Sequence, residues 1–277
     1  MTDARLEMLP GAALLAELHA AELPQKDDLC GAFCAALALR AADVRTAAGG
    51  EVTQDDVAIL AGTTVFTGDH AGSLPPGETG RRDYVLDIPR AEDEPTSGTA
   101  ATGVARAIEE LAGDRLSAVG AAGDWSADGL AALLETMTTS AEPCAVVANV
   151  GTRFFWGSRP TFVSLLRYLD DCDAERGPAA DWDAGHFVLI LGVVAGRRGR
   201  LAIVADTYRS LGTHGVHLQP LERLALALER PAMTEGGLLF VIPPRQAETV
   251  EAAIMEAGLA VRLWDNGSLD AHATRTR

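Results

Sequence analysis

The stretch LPQKDDLCGAFCAALALRAA, residues 23–42, decides the fold of this chain. From Cys30 onward it consists mainly of small and apolar residues, which predicts a core helix that begins at the cysteine. Such a helix is either the first core helix of an ordinary domain or the nucleophile helix of a cysteine enzyme. The second interpretation requires a histidine and a carboxylate elsewhere in the chain, in strand contexts that allow them to meet the cysteine.

Length and composition indicate a globular chain with an acidic surface. The 277 residues are enough for a sizeable core, and a hydrophobic share of 48% excludes general disorder. The net charge of −16 argues against a basic surface for nucleic acid and against an anionic membrane, and we interpret it as a source of solubility. No apolar run reaches about 18 residues, and the acidic start, interrupted by Pro10, does not have the pattern of a secretory signal.

The cysteines indicate a reducing compartment. None of them forms a C-x-x-C pair, so we predict reduced thiols in a cytoplasmic protein. The four are Cys30, Cys34, Cys144 and Cys172. Cys34, one helical turn after Cys30, is interpreted as a packing residue, with a resolving thiol as the alternative. A zinc site from these two cysteines and His186 is not favoured, because a lone C-x-x-x-C is a poor zinc signature, and no metal or cofactor is predicted.

The predicted elements run from helices to a hairpin-rich sheet region and then to one more β-α-β unit, which is an α+β order. We predict a single domain over residues 1–277. Residues 51–120 are interpreted as an insertion, in which DYVLDI (83–88) is expected to form an edge strand. The β-α-β element is expected to be appended at 236–265.

A cysteine nucleophile needs a lowered thiol pKa, a base and donors for the oxyanion, and the residues around Cys30 are of the right types. The start of a helix carries partial positive charge and free N–H groups. Gly31 leaves room for a substrate near the backbone. Gln25 has a side-chain amide that would add a second oxyanion donor to the N–H of Cys30.

The base and its partner are predicted from a hairpin. His186 follows Gly185, a predicted substrate-binding residue, at the start of the apolar strand HFVLILG, and Asp206 ends the next strand, LAIVAD. A Gly/Arg turn joins the two strands, so Asp206 is expected beside the imidazole, where it would orient it. Asp181 and Asp183 are the alternatives if Asp206 is not the partner.

These motifs together resemble the papain-like cysteine peptidases, and among them the branch that removes double-glycine leaders from bacteriocin precursors. The resemblance rests on the Gln before Cys-Gly at a helix start, on GHFVLILG and on VADTY, and extends to residues 126–150. It implies a papain-like fold, with the nucleophile helix packed on an antiparallel sheet. It also implies that Cys30 is the nucleophile, His186 the base, Asp206 the orienting residue and Gln25 the oxyanion donor.

Three features depart from that branch. Gln25 precedes Cys30 by five positions (30 − 25), one fewer than usual, and Leu29 stands where an acidic or polar residue is favoured. The separation of Cys30 and His186, 156 positions (186 − 30), is longer than in the compact leader peptidases. The resemblance implies a peptide or acyl-amide substrate, with a role in peptide natural-product maturation. Hydrolysis is favoured over transfer to an amine by an acyltransferase or ligase, and the short Gln25 spacing motivates a third hypothesis, a non-catalytic binding protein on the same fold.

Other polar and aromatic residues have less specific interpretations. The motif RFFWGSRP suggests that Trp156 forms a wall for the substrate, although core packing is the default. Arg153 and Arg159 flank it and are candidate carboxylate or phosphate anchors. Three further histidines are expected mainly at loop or core positions. His70 is expected to be solvated, and for His214 and His217 a place in the cleft is the alternative.

Overall fold

An antiparallel sheet carries the histidine strand near its centre. The structure is a computed structural model that describes residues 4–70 and 73–272. The sheet strands described there are β1 (Arg5–Met8), β4 (Ser117–Ala122), β5 (Ala145–Gly151), β6 (Gly185–Ala195), β7 (Arg200–Ala205), β8 (Val216–Pro220), β9 (Gly237–Ile242) and β10 (Ala260–Val261). Their order is β10-β4-β9-β5-β6-β7-β8, and β1 pairs with the C-terminal end of β6. A separate parallel pair consists of β2 (Val65–Phe66) and β3 (Arg90–Ala91).

Strand β6 is buried over most of its length, as its apolar sequence predicts. Residues 186–193 are all buried, a pattern typical of a strand covered on both faces. It pairs with β5 on one side and β7 on the other, and His186 lies opposite Val150 of β5. The start of β6, with its histidine, is therefore held firmly by the sheet.

The helices form two groups around this sheet. They are α1 (Ala12–Glu22), α2 (Cys30–Ala41), α3 (Gln54–Ala61), α4 (Ala101–Ala112), α5 (Ala127–Thr138), α6 (Phe162–Asp171), α7 (Leu221–Glu229) and α8 (Ala247–Glu256). Helix α2 packs against α1, α3 and α4 and contacts β5 and β6, whereas α5 packs with α7 and α8. Every residue of α2 from Gly31 to Leu39 is buried, so the predicted core helix forms and begins at Cys30.

Local sequence signals account for two helix starts. Thr53 accepts a hydrogen bond from the N–H of Asp56, and the Asp56 carboxylate accepts one from the N–H of Thr53, which is a capping box. Ser126 caps α5 by accepting from the N–H of Gly129. The predicted α+β class is confirmed at this level.

Three details differ from the expectations. The stretch 83–88 forms no strand, because the N–H groups of Val85 and Leu86 donate to the buried carboxylate of Asp55 instead of to a neighbouring strand. Within 51–120, helices α3 and α4 pack on α2, and β4 belongs to the main sheet. The C-terminal unit is not appended, since β9 lies between β4 and β5 inside the sheet.

Within the described ranges, no helix has the length and apolar character needed to cross a membrane.

Candidate active site

Cys30 is the first residue of α2 and stands at the edge of the core. Its neighbour Leu29 is fully buried and accepts the first backbone bond of the helix, from the N–H of Phe33. Cys30 is partly exposed, whereas the residues after it are buried. The N–H of a first helical residue has no acceptor within its own helix. The thiol therefore lies beside a free backbone donor and the positive end of the helix.

The hairpin of β6 and β7 brings His186 and Asp206 together, as the sequence predicts. Leu189 pairs with Ala205, so the residue after β7 reaches back to the start of β6. His186 Nε2 lies 3.1 Å from Asp206 Oδ1, and both residues are buried. The Cys30 thiol is a neighbour of the same imidazole and contributes to raising its pKa. Because Nε2 faces Asp206, Nδ1 is the nitrogen left for the thiol.

The buried pair has strongly shifted pKa values. Burial alone would lower the pKa of His186, but the charge and hydrogen bond of Asp206, with the hydrogen bond from Cys30, outweigh burial and raise it. Burial alone would raise the pKa of Asp206, but the charge and hydrogen bond of His186 outweigh it and lower it. The site therefore favours an imidazolium beside a carboxylate.

Thr207 connects Gln25 to the imidazole. Its Oγ1 lies 3.1 Å from His186 Nε2, and its hydroxyl donates to Gln25 Oε1. The backbone N–H of Gln25 donates to the Thr207 carbonyl at 3.0 Å. Gln25 Nε2 donates one hydrogen to the hydroxyl of Tyr208 at 3.1 Å, which leaves its second hydrogen for another acceptor. Despite its short spacing from Cys30, Gln25 is thus held beside the histidine.

Two aromatic rings cover His186. Tyr208 stacks on the imidazole with ring centroids 5.8 Å apart, and Trp182 contacts it edge-on at 4.9 Å. Trp182 Nε1 donates to the carbonyl of Ser73 at 2.7 Å. The rings shield the ion pair from water, which strengthens its electrostatic attraction.

A second histidine shares the Asp206 carboxylate, and its tautomer is set by its neighbours. The N–H of Trp156 donates to Gln219 Oε1 at 2.7 Å, so Gln219 presents its NH₂ group to Nδ1 of His217, 3.0 Å away. Nδ1 must then accept, which leaves the hydrogen on Nε2, 3.4 Å from Asp206 Oδ2. In this arrangement His217 supports the Asp206 carboxylate from the side opposite His186. Of its two sequence interpretations, the buried position is the one found.

Cys34 is a packing residue. It is fully buried, and burial, followed by the charges of Cys30 and Asp206, raises the pKa of its thiol well above the usual range. A neutral buried thiol is a poor nucleophile. Among the described residues, no three His, Cys, Asp or Glu side chains are arranged to hold a metal ion.

Two of the three predicted substrate-binding residues do not face an open cleft. Gly31 is buried, and a Cβ on it would lie 3.0 Å from Val104 Cγ2, so its smallness serves the packing of α2 on α4. Trp156 is 3% exposed and donates from Nε1 to the Ala174 carbonyl at 2.7 Å, which makes it a core residue and not a substrate wall. Gly185 is exposed and precedes His186 directly.

The alternative acids and the two candidate anchors are engaged elsewhere. Asp183 forms an exposed ion pair with Arg153, and Asp181 Oδ2 accepts from the N–H of Ser158 at 2.6 Å. Arg159 donates to two backbone carbonyls of the loop after β7. Of the three aspartates considered, Asp206 is the one whose carboxylate contacts His186.

His70 is buried, contrary to expectation. Its Nε2 lies 3.1 Å from Asp28 Oδ2, two residues before Cys30, and interaction with that carboxylate raises the pKa of His70. A loop composition rich in Gly, Pro and charge concealed this contact. His214 has φ of 51° in the turn before β8.

Sequence reasoning missed several residues of the site. Two of them, Thr207 and Tyr208, follow Asp206 directly, and Trp182 precedes His186 by four positions. Their closeness in sequence to predicted site residues is the feature that could have identified them.

Comparison with known proteins places the chain in one family. It matches the family described as "Family of unknown function (DUF6885)" over residues 9–265, nearly its whole length, and it therefore belongs to that family. None of the curated proteins matches it.

Proposed function

We propose that this member of the family of unknown function DUF6885 is a papain-like cysteine peptidase or amidase that acts through a thioester on Cys30. One observation carries the proposal. An imidazole whose Nε2 is held by a buried carboxylate has its pKa raised in part by the cysteine at the start of a buried helix. Nucleophile, base and orienting group thus stand in the order that acyl transfer requires.

In the first half of the reaction, the Cys30 thiolate attacks the carbonyl carbon of the substrate and a C–S bond forms. The electron pair of the carbonyl moves to its oxygen, where the N–H of Cys30 and the Gln25 amide stabilise it. As the C–N bond breaks, the His186 imidazolium gives its proton to the departing amine. His186 is then neutral and an acyl group is bound to the sulfur.

In the second half, water attacks the thioester and gives a proton to His186. The C–S bond breaks, the acid product leaves, and the thiolate and imidazolium are restored. An amine in the place of water would give acyl transfer through the same thioester. Hydrolysis remains our proposal, and the resemblance to leader peptidases makes a precursor peptide of a natural product the proposed substrate.

Alkylation with iodoacetamide at neutral pH tests the reactive pair. We expect fast labelling of Cys30, strongly slowed labelling in His186→Ala, and no labelling at this position in Cys30→Ser, with peptide mass spectrometry to identify the labelled thiol. The buried Cys34 is the internal control, and Cys34→Ala should leave the rate at Cys30 within a few-fold of the wild type.

Two results would contradict the proposal. Preferential labelling of a different cysteine would mean that the nucleophile has been misassigned. Labelling of Cys30 at the rate of a free thiol, unchanged in His186→Ala, would instead favour a binding protein without catalysis.

A further inference from the structure

Arg230 is a buried cation without a carboxylate partner. It follows α7 with φ of 51° and is 4% exposed. Its Nη1 donates to two neutral acceptors, Asn149 Oδ1 at 2.8 Å and the Glu235 carbonyl at 3.1 Å, and its Nε has no hydrogen-bond partner. In the part of the chain that the structure describes, no carboxylate forms an ion pair with it.

The nearest acids in the sequence are used elsewhere. Glu229 accepts from the N–H of Trp125 at 3.0 Å, and the carboxylate of Glu235 pairs with Arg262. A buried charge without a counter-ion lowers the folding stability of a protein. Because the chain has 39 acidic residues, an uncompensated buried arginine is better explained by an external anion than by a lack of acids.

Arg230 lies against the proposed active site. Asn149 accepts from the guanidinium through Oδ1 and donates through Nδ2 to the His186 carbonyl at 3.3 Å, so one side chain joins the two residues. A Cβ on the exposed Gly185 would lie 2.6 Å from Arg230 Nη2. The absence of a side chain there leaves the guanidinium close to the surface, next to His186.

The charge of the Cys30 thiol also acts on Arg230. Burial lowers the pKa of Arg230, and the charge of Cys30 acts in the opposite direction. With Nη1 occupied by carbonyl oxygens, Nη2 on the Gly185 side is the end available to an anion.

We propose that Arg230 binds a carboxylate of the substrate beside the carbonyl that Cys30 attacks. The substrate is then a peptide or amide with a carboxylate close to the scissile bond. The inference rests on the proposed function and narrows it to an anionic substrate class. An arginine suits this task because its guanidinium stays charged even when buried and donates several hydrogen bonds.

A matched pair of alkylating agents tests the proposal without a known substrate. Iodoacetate and iodoacetamide react alike, since the thiolate forms an S–C bond and iodide leaves, but iodoacetate carries a carboxylate. The positive charge of the His186 imidazolium also favours iodoacetate over iodoacetamide. The test is therefore how the ratio of the two alkylation rates at Cys30 changes when Arg230 is substituted. In Arg230→Gln we expect the iodoacetate-to-iodoacetamide ratio at Cys30 to fall about tenfold, in line with the loss of a charged hydrogen bond.

Three controls sharpen the result. Arg153→Gln, which removes an exposed arginine with its own partner, should leave the ratio unchanged. Arg230→Lys should give an intermediate ratio. In the wild type, sodium acetate should protect Cys30 from iodoacetamide, whereas acetamide at the same ionic strength should not. If Arg230→Gln unfolds and exposes Cys34, this comparison still tests the carboxylate site.

An unchanged ratio in a folded Arg230→Gln, or equal behaviour of acetate and acetamide, would overturn the carboxylate site and leave the Cys30–His186 pair standing. If neither reagent labels Cys30 in the wild type, the proposed function fails and the carboxylate site fails with it.

Discussion

At the scale of single residues, the carboxylate of Asp206 determines how the site depends on pH. It accepts from His186 through Oδ1 and from His217 through Oδ2, and the N–H of Tyr208 also lies 3.3 Å from Oδ1. His19 reaches the backbone carbonyl of the same residue, not its carboxylate. The charge and hydrogen bond of His186 lower the pKa of Asp206 more than those of His217 do, so His186 is its main partner.

Asp206→Asn should shift the alkaline limit of the reaction to lower pH. The charge of Asp206 raises the pKa of His186, so its removal lets the imidazolium lose its proton at a lower pH. The rate at which Cys30 reacts with the anionic iodoacetate should fall at the pH where His186 loses its charge. In a plot of this rate against pH, the descending limb therefore reports the deprotonation of His186. We expect this limb to move to lower pH in Asp206→Asn.

Asp183→Asn is the matched control, because Asp183 pairs with Arg153 at the surface. Its profile should coincide with that of the wild type. A full rate and an unchanged profile in Asp206→Asn would remove Asp206 from the proposed site.

At the scale of elements, the loop before α2 holds the segment that joins β2 to α4, residues 67–100. The buried carboxylate of Asp27 accepts from the N–H of Arg81 at 2.8 Å and from Arg82 Nε at 3.0 Å, and the Asp27 carbonyl accepts from the Tyr84 hydroxyl. Asp28 has φ of 63°, a left-handed conformation that costs energy outside glycine, and its Oδ2 accepts from the N–H of Phe66. Asp28 Oδ2 also lies 3.1 Å from His70 Nε2, so the two acids anchor this segment next to Cys30.

Asp27→Asn should loosen that segment. An amide cannot accept at both positions, so the bond from Arg81 or from Arg82 is lost, at a cost of about 1–3 kcal/mol in the free energy of unfolding. Urea denaturation measures the loss, and limited proteolysis within residues 67–100 should become faster.

Asp83→Asn is its control, since Asp83 pairs with Arg81 at the surface and should change stability by less than about 0.5 kcal/mol. Equal effects of the two substitutions would show that the Asp27 contacts do not hold the segment.

At the scale of the whole molecule, strands that are distant in the sequence share one sheet. Strand β9 pairs with β4 and β5, and α8 packs on β4 and α5. Trp264 donates to Asn149 Oδ1 at 3.1 Å, the same oxygen that accepts from Arg230. The C-terminal unit therefore contributes both to the core and to the surroundings of the proposed site.

Truncation after Glu235 should abolish the cooperative fold. It removes an inner strand and exposes the apolar edges of β4 and β5, which no other described element covers. We expect circular dichroism of the shortened chain to show no cooperative unfolding transition, whereas the full chain shows one. A shortened chain that still unfolds cooperatively and still directs iodoacetamide to Cys30 would make the unit dispensable.

The sequence by itself determined the local elements and part of the site. The apolar run after Cys30, the caps at Thr53 and Ser126, and the hairpin that joins His186 to Asp206 each depend on residues close together in the chain. Local patterns of this kind predict helices, turns and neighbouring strands, because hydrogen bonds and periodic burial act over a few positions.

Only the tertiary structure decided which distant residues meet. Asn149, Arg230 and Trp264 come together across three elements, and His217 reaches Asp206 through the pairing of β7 with β8. Trp156 was a candidate for a substrate wall, with core packing as the default, and it lies in the core, because burial depends on what packs against a side chain. No pattern of a few residues encodes these contacts, since they result from the order of strands in the sheet and from how distant helices pack against it.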